Sequence, residues 1–417
     1  MALRGLRKGR GKRYNRQVSP SAPTVARTNR AEKPAPTSAL AGFLLSGFLF
    51  ALLGAILPAW GYHRDPPEFA TIGHYFLSLN LGMLAATRVT QSLLPRRGIR
   101  FLLVLAAALA CGTLLYLALV TPPASPLWRI AGLALIGFDT GLLHPALFHA
   151  ITGRYERDPV GTLNRGGIFF GLGCLAVTLL VAGTFYAYTV PSILVLMATV
   201  PAYFAGIFAK SSFPAVVAAG QPSLRQALLD FRSPGAVMFA MLLFFQFGNE
   251  WSIAGWLPLF LIRRLGASPS TALLLLALYW LALLVGRVGA VAIVPRVRHG
   301  RLLGGSVLAA LFGCLLLYST NNVFGAGMGA LFVGCGFASI YPLVAERIGR
   351  RFPYYHPGFF NGIFSFGMLG GMLAPATLGY LAVVWDIGAV MALPLAGTCL
   401  VCVLLLLIWL EAKVTGR

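Results

Sequence analysis

The chain of 417 residues is 58% hydrophobic and only 11% charged, with a mean hydropathy of +0.79. A soluble domain carries about 25% charged residues, so this composition excludes an ordinary water-soluble enzyme or binding module and points into a bilayer. The 33 Lys and Arg stand against 11 acids, a net charge of +22 that is unevenly spread along the chain.

Residues 1–37 hold ten basic residues and one acid, Glu32. No uninterrupted apolar run precedes Ala39, so this stretch is no cleavable signal peptide. Its composition suits an organelle transit peptide or a cytoplasmic arm held against anionic lipid headgroups, at about 1 kcal/mol per basic residue near the surface. We expect the lipid-facing arm. Nucleic-acid binding is not expected, because nothing aromatic beyond Tyr14 interleaves the charges.

A helix needs about 20 apolar residues to cross the hydrocarbon core. That ruler marks spans near 38–61, 70–94, 99–121, 127–152, 164–186 and 190–211, then 235–263, 269–294, 301–319, 322–348, 357–384 and 387–411. Twelve spans are expected, six on each side of residues 212–234. Within that connection Ser223–Arg232 follows Pro222 and places Leu224, Leu228 and Phe231 at helical spacing, which predicts a short helix on the membrane surface.

The charges between spans test the count. Arg96, Arg97, Arg100, Arg154, Arg157, Arg165, Lys210, Arg296, Arg298, Arg301, Arg347, Arg350 and Arg351 all fall on the side of the N-terminal tail. Loops and helix ends on the other side receive Arg64, Arg129, Arg263 and Arg264. This asymmetry predicts both termini, including residues 412–417, in the cytoplasm of a plasma or inner membrane. The cysteines Cys111, Cys174, Cys314, Cys335, Cys399 and Cys402 all lie in apolar runs. They read as packing residues, and the CxxC spacing of the last two has no zinc-site context.

The halves echo each other. A shift of 197 residues pairs Gly137 with Gly334, Pro145 with Pro342, Arg154 with Arg351 and Asn164 with Asn361. Leu57-Pro58 answers Leu257-Pro258, and Arg88 answers Arg287. Parallel six-helix repeats joined by a linker can rock about a midplane site.

With these features the chain resembles the major facilitator superfamily over residues 38–411. Within it, Phe247-Gly-Asn-Glu-Trp-Ser-Ile-Ala-Gly-Trp256, Ser339-Ile-Tyr-Pro342 and Leu163-Asn164 followed by Phe170-Gly171 are similar to the fucose-permease-like sugar–proton symporters. The superfamily's motif between the second and third spans is reduced to Pro95-Arg-Arg-Gly-Ile-Arg100, and the first span lacks the acid known in fucose permease. The resemblance implies an all-α integral membrane fold of two pseudo-symmetric six-helix bundles, residues 38–211 and 235–411, that moves a small solute with protons and is no enzyme.

An ionised acid at the centre of a lone membrane helix costs about 2.5–3.5 kcal/mol. Asp139 lies twelve residues into its span and Glu250 fifteen into its own, at depths of roughly 18 and 22 Å. The alternative to function for each is a structural hydrogen bond to a neighbouring helix. Asp139 is expected to couple protons. Glu250, with Gln246, Asn249 and Trp256 on the same span, is expected to hold a polar solute: hydroxyls need donors and acceptors, and the apolar face of a sugar stacks on indole. Trp251 and Trp256 equally suit lipid packing or an interfacial belt. His144 and His149 point roughly 140° and 80° away from Asp139 and make no proton wire with it. No metal-ligand spacing or nucleophile–base pair stands out, so neither metal nor cofactor is expected. Pro145 and Pro342 each break an intrahelical bond and should kink their helices as gates.

The reading is a proton-coupled, alternating-access transporter of a small polar solute, acting as a monomer. Efflux of amphipathic compounds is its rival within transport. A non-transporting receptor or assembly protein on the same fold is its rival from another class.

Overall fold

A computed structural model of the chain describes residues 37–215, 231, 233–293, 296–352 and 362–414. The basic tail through residue 36, nearly all of the expected surface helix in the linker, and Asn361 lie outside the described residues. Every regular element described is a helix: α1 Thr37–Ala59, α2 Phe69–Leu119, α3 Pro126–Tyr155, α4 Pro159–Thr184, α5 Val190–Lys210, α6 Pro234–Leu265, α7 Pro269–Ile293, α8 His299–Ser319, α9 Val323–Arg351, α10 Gly362–Trp385 and α11 Ala389–Val414. All eleven are long and apolar enough to cross a membrane.

The expected spans at 70–94 and 99–121 are the two arms of α2, which meet at Gly98 with no loop between them. Its arms on either side of Gly98, residues 69–97 and 99–119, are about 43 and 31 Å long, each enough to cross the hydrocarbon core. Its one non-helical residue is Gly98, at φ 79 and ψ 172. So few residues separate the two apolar runs that a single glycine in the left-handed region turns the chain. The helix starts follow their capping chemistry. Ser125 accepts from Leu127 N–H at 3.4 Å, Asp158 from Gly161 N–H at 2.9 Å and Asn322 from Gly325 N–H at 2.7 Å. Asp158, with Pro159 behind it, begins α4 five residues before the expected start at 164.

Helix contacts repeat between the halves of the sequence. In the first, α1 packs on α4 and α2 on α3; in the second, α6 packs on α10 and α7 on α9. A Cβ on Gly137 would lie 1.8 Å from the Leu79 carbonyl oxygen of α2, and one on Gly334 would lie 2.5 Å from the Tyr279 carbonyl oxygen of α7. The same small-residue crossing thus recurs about 200 residues later, where close backbone approach supplies the packing that lipid does not drive. Between the halves, α1 meets α6, α2 meets α10 and α4 meets α7.

The two ends of this assembly differ. The end carrying Thr37, Gly98, Tyr155, Pro159 and Arg351 is the arginine-rich one. There Arg351 grips the Glu411 carboxylate with both guanidinium nitrogens, joining α9 to α11, and Glu346 pairs with His299 and Arg350. At the opposite end, the halves close tightly. Trp256 stacks on Phe76 with ring centroids 5.9 Å apart, and a Cβ on Gly379 would lie 2.5 Å from the Gly73 Cα. Arg263 also reaches Asp65 at 2.8 Å, an exposed pair worth little in stability.

Candidate functional site

A cavity of about 910 Å³ lies between the two halves. Its wall includes Thr87, Arg88 and Gln91 of α2, His144, Pro145 and His149 of α3, Gly166 and Gly167 of α4, Tyr341 and Pro342 of α9, and Ser365 and Phe366 of α10. These residues occupy the arginine-rich half of their helices, so the cavity faces that end. Deeper in, Phe50, Phe170, Trp251, Met368 and Met372 make an apolar, aromatic floor.

Glu250 and Arg287 stand in that floor, each 7% exposed. Arg287 Nη2 lies 3.8 Å from Glu250 Oε1, and its Nη1 donates to the Gly167 carbonyl at 2.6 Å. One guanidinium therefore ties α7 to the carboxylate of α6 and to the backbone of α4 in the other half. A Cβ on Gly167 would sit 2.7 Å from Arg287 Nη1, so glycine is what lets the guanidinium reach the chain. A buried carboxylate without a partner costs several kcal/mol, and the pair meets that requirement while leaving hydrogen-bonding capacity toward the cavity.

The other residues singled out from sequence fall elsewhere. On α6 the cavity is lined by Phe247, Glu250 and Trp251. At about 100° per residue the centre of that face points roughly 150° from Asn249 and 170° from Trp256. Asn249 is buried against α11, where its Nδ2 donates to Thr398 Oγ1 at 3.2 Å. Trp256 is fully buried, and its Nε1 donates to the Pro375 carbonyl at 2.9 Å. Neither lines the cavity: Trp256 belongs to the seal at the opposite end, and Trp251 is the indole that the cavity presents. Gln246 is buried one turn before Glu250 and does not line the cavity either.

Asp139 is 1% exposed and accepts from the Thr113 hydroxyl at 3.1 Å across the α2–α3 seam. It is not among the cavity-lining residues. The two midplane acids are thus in separate environments. Pro145 and Pro342 both sit within helices and both line the cavity. His144, unassigned from sequence, contacts the Ser46 hydroxyl of α1 and lines the cavity beside Phe148 and Phe170. Arg287 is the cavity-floor residue that sequence reasoning did not single out for the site. The signal was available, since a guanidinium eighteen residues into an apolar helix is as costly as an acid there and demands a partner. Among the described residues no cluster of three or more His, Cys, Asp or Glu could hold a metal ion.

No family model matches the chain. An uncharacterized MFS-type transporter of Yersinia pestis is 26% identical over 349 residues, covering 82% of this chain and 87% of its own length. Solved structures share the fold at lower identity. A D-xylose-proton symporter superposes with a TM-score of 0.70 at 16% identity, over 89% of this chain and 96% of its own. The nucleoside transporter NupG, in a point-mutant form, gives 0.66 at 14%, over 89% and 99%. The Escherichia coli fucose:proton symporter FucP, also as a point mutant, gives 0.58 at 16%, over 89% and 98%.

Proposed function

We propose that this chain, a homologue of a major facilitator transporter with that superfamily's fold, is a proton-coupled secondary transporter of a small polar solute. Counting the two arms of α2 as separate crossings, it has twelve spans in two six-helix halves, residues 38–211 and 235–411, joined by 212–234. Both termini and the arginine-rich end face the cytoplasm, with the basic tail held against anionic headgroups of the plasma or inner membrane. The conformation is then open to the cytoplasm and closed outside. The observation that carries the reading is the cavity between halves, sealed at one end and floored by a Glu250–Arg287 pair that touches both halves.

The solute lies on that pair, with Trp251 as an aromatic plate and Pro145 and Pro342 letting the cytoplasmic helix ends move. Gln246 supports Glu250 from behind. Asp139 carries the proton at the α2–α3 seam. Water reaches it only when those helices move, which would couple its charge to the conformational change. FucP and the xylose protein are sugar–proton symporters and NupG carries nucleosides, which supports hydroxylated solutes. The aromatic cavity wall favours a second reading, efflux of amphipathic compounds.

Uptake and exchange in proteoliposomes, with and without a pH gradient, test this. Asp139→Asn should preserve solute exchange while abolishing gradient-driven accumulation. Accumulation at the wild-type level would remove Asp139 from the mechanism and leave it a structural hydrogen-bonder. Export of amphipathic dyes with no uptake of polar solutes would favour efflux. Ligand binding without movement of any solute would indicate a receptor on a transporter fold.

A further inference from the structure

We infer that the solute is a monoanionic organic acid whose carboxylate is met by Arg88. This rests on the transport reading above and names the class of solute for the same cavity.

Among the described residues that line the cavity, the formal charges are Arg88, Glu250 and Arg287, with His144 and His149 beside them. Glu250 is the one carboxylate of this set, and it faces Arg287 at 3.8 Å. Arg88 is exposed into the cavity, and among the described residues no acid lies within ion-pair distance of it. It stands ten residues before Gly98, about 15 Å from the turn and at hydrocarbon depth. A guanidinium held there is costly unless something of opposite charge or water meets it.

The internal repeat sharpens the point. Arg88 and Arg287 occupy corresponding places in the two halves, as do Leu57-Pro58 and Leu257-Pro258. The 200-residue offset of the second pair sets Phe50 opposite Glu250, and both line the cavity. The second half thus supplies its arginine with an acid, whereas the first half puts a phenyl ring where that acid would be. The missing negative charge is left to the cargo. A carboxylate accepts two parallel N–H bonds from a guanidinium, and Gln91, three residues further along α2, offers a further donor. Phe148, Phe170 and Trp251 suit the apolar remainder of the acid.

The test is a thermal-shift titration of the full chain with acid and neutral partners matched in shape: nicotinate with nicotinamide, benzoate with benzamide, and galacturonate with galactose. Each bound compound is then assayed for counterflow in proteoliposomes. The acids should stabilise the protein and their neutral partners should not. Arg88→Gln should weaken acid binding by about tenfold or more, and Arg88→Lys should restore part of it. Neutral partners that bind as well as acids, acid binding unchanged in Arg88→Gln, or no acid that binds at all would each overturn the inference. Neutral partners bound and moved, with acids ignored, would overturn it while leaving transport standing. Acids bound through Arg88 but never moved would sustain the anion site and overturn transport instead.

Discussion

The seal at the end away from the arginines, which we propose faces outside, makes a prediction whose size follows from geometry. A methyl added at Gly379 would meet the Gly73 Cα at 2.5 Å, the Gly73 nitrogen at 2.6 Å and the Phe69 carbonyl oxygen at 2.7 Å. All three are backbone atoms of α2, so no side chain can swing aside, and α2 and α10 must separate by about 1 Å to reach ordinary contact. Overpacking of this kind costs about 1–3 kcal/mol. If the contact exists only while the outer end is closed, Gly379→Ala shifts the equilibrium toward outward opening by about 5- to 160-fold. Gly73→Ala is the graded control, since its methyl would meet the Ala376 carbonyl oxygen at 3.0 Å and the Gly379 Cα at 3.3 Å. Its effect should be a few-fold at most. The assay is labelling of Leu84→Cys in the cavity wall, with the native cysteines replaced, by an impermeant maleimide applied to intact cells. Outside labelling should rise from background through Gly73→Ala to Gly379→Ala. A folded Gly379→Ala protein labelled no faster from outside than its parent would show that α2 and α10 stay together throughout, and would refute the reasoning.

The charged pair in the cavity floor should behave as a unit: Glu250→Gln alone or Arg287→Met alone leaves a buried charge and lowers stability by about 3 kcal/mol. The double variant should recover most of that without recovering solute binding, and additive losses in chemical denaturation would refute the pairing. Trp256→Phe removes the N–H bond to Pro375 but keeps an aromatic ring on Phe76, so outside labelling should rise about two- to tenfold; no rise would remove that bond from the seal. His63, in the loop between α1 and α2, is held below its ordinary value of 6.5 by burial and by the Arg64 and Arg263 guanidiniums, against a hydrogen bond to the Pro58 backbone that raises it. The fold therefore resists protonation of this imidazole. Stability is undiminished above about pH 6.5 and falls below it, as the unfolded chain takes up a proton that the fold resists, until the depressed native value is passed. The drop in Tm between about pH 7.5 and pH 5 should be smaller in His63→Gln; an equal drop would exclude the histidine.

What the sequence determined by itself were properties that each segment carries locally. A run of twenty apolar residues must be a helix if it enters lipid, because backbone groups there find no water, and the described helices occupy the expected runs. The basic loops fall at one end for the same reason, since each loop's place follows from counting helices. The cost of an ionised group at mid-helix marked Asp139 and Glu250 without any knowledge of their neighbours. Even α2 was legible as two apolar runs around Gly98, although not that the turn would shrink to one glycine.

Which of these groups meet one another was decided by tertiary structure. Glu250 and Arg287 are 37 positions apart, and Gly167 is 120 from Arg287; nothing local specifies that they converge. A polar residue on an apolar helix satisfies the same insertion cost by facing a neighbouring helix or a cavity, and only the rotation and crossing of the helices chooses. That choice turned Asn249 toward Thr398, Asp139 toward Thr113 and Trp256 into the seal, while it brought Trp251, Arg287 and Arg88 to the cavity. Helix rotation is set by where glycines let backbones touch, such as Gly137 on Leu79 and Gly370 on the Phe244 carbonyl. The partner surface for each glycine lies on another helix, so the cavity's chemistry emerges only when the helices have packed.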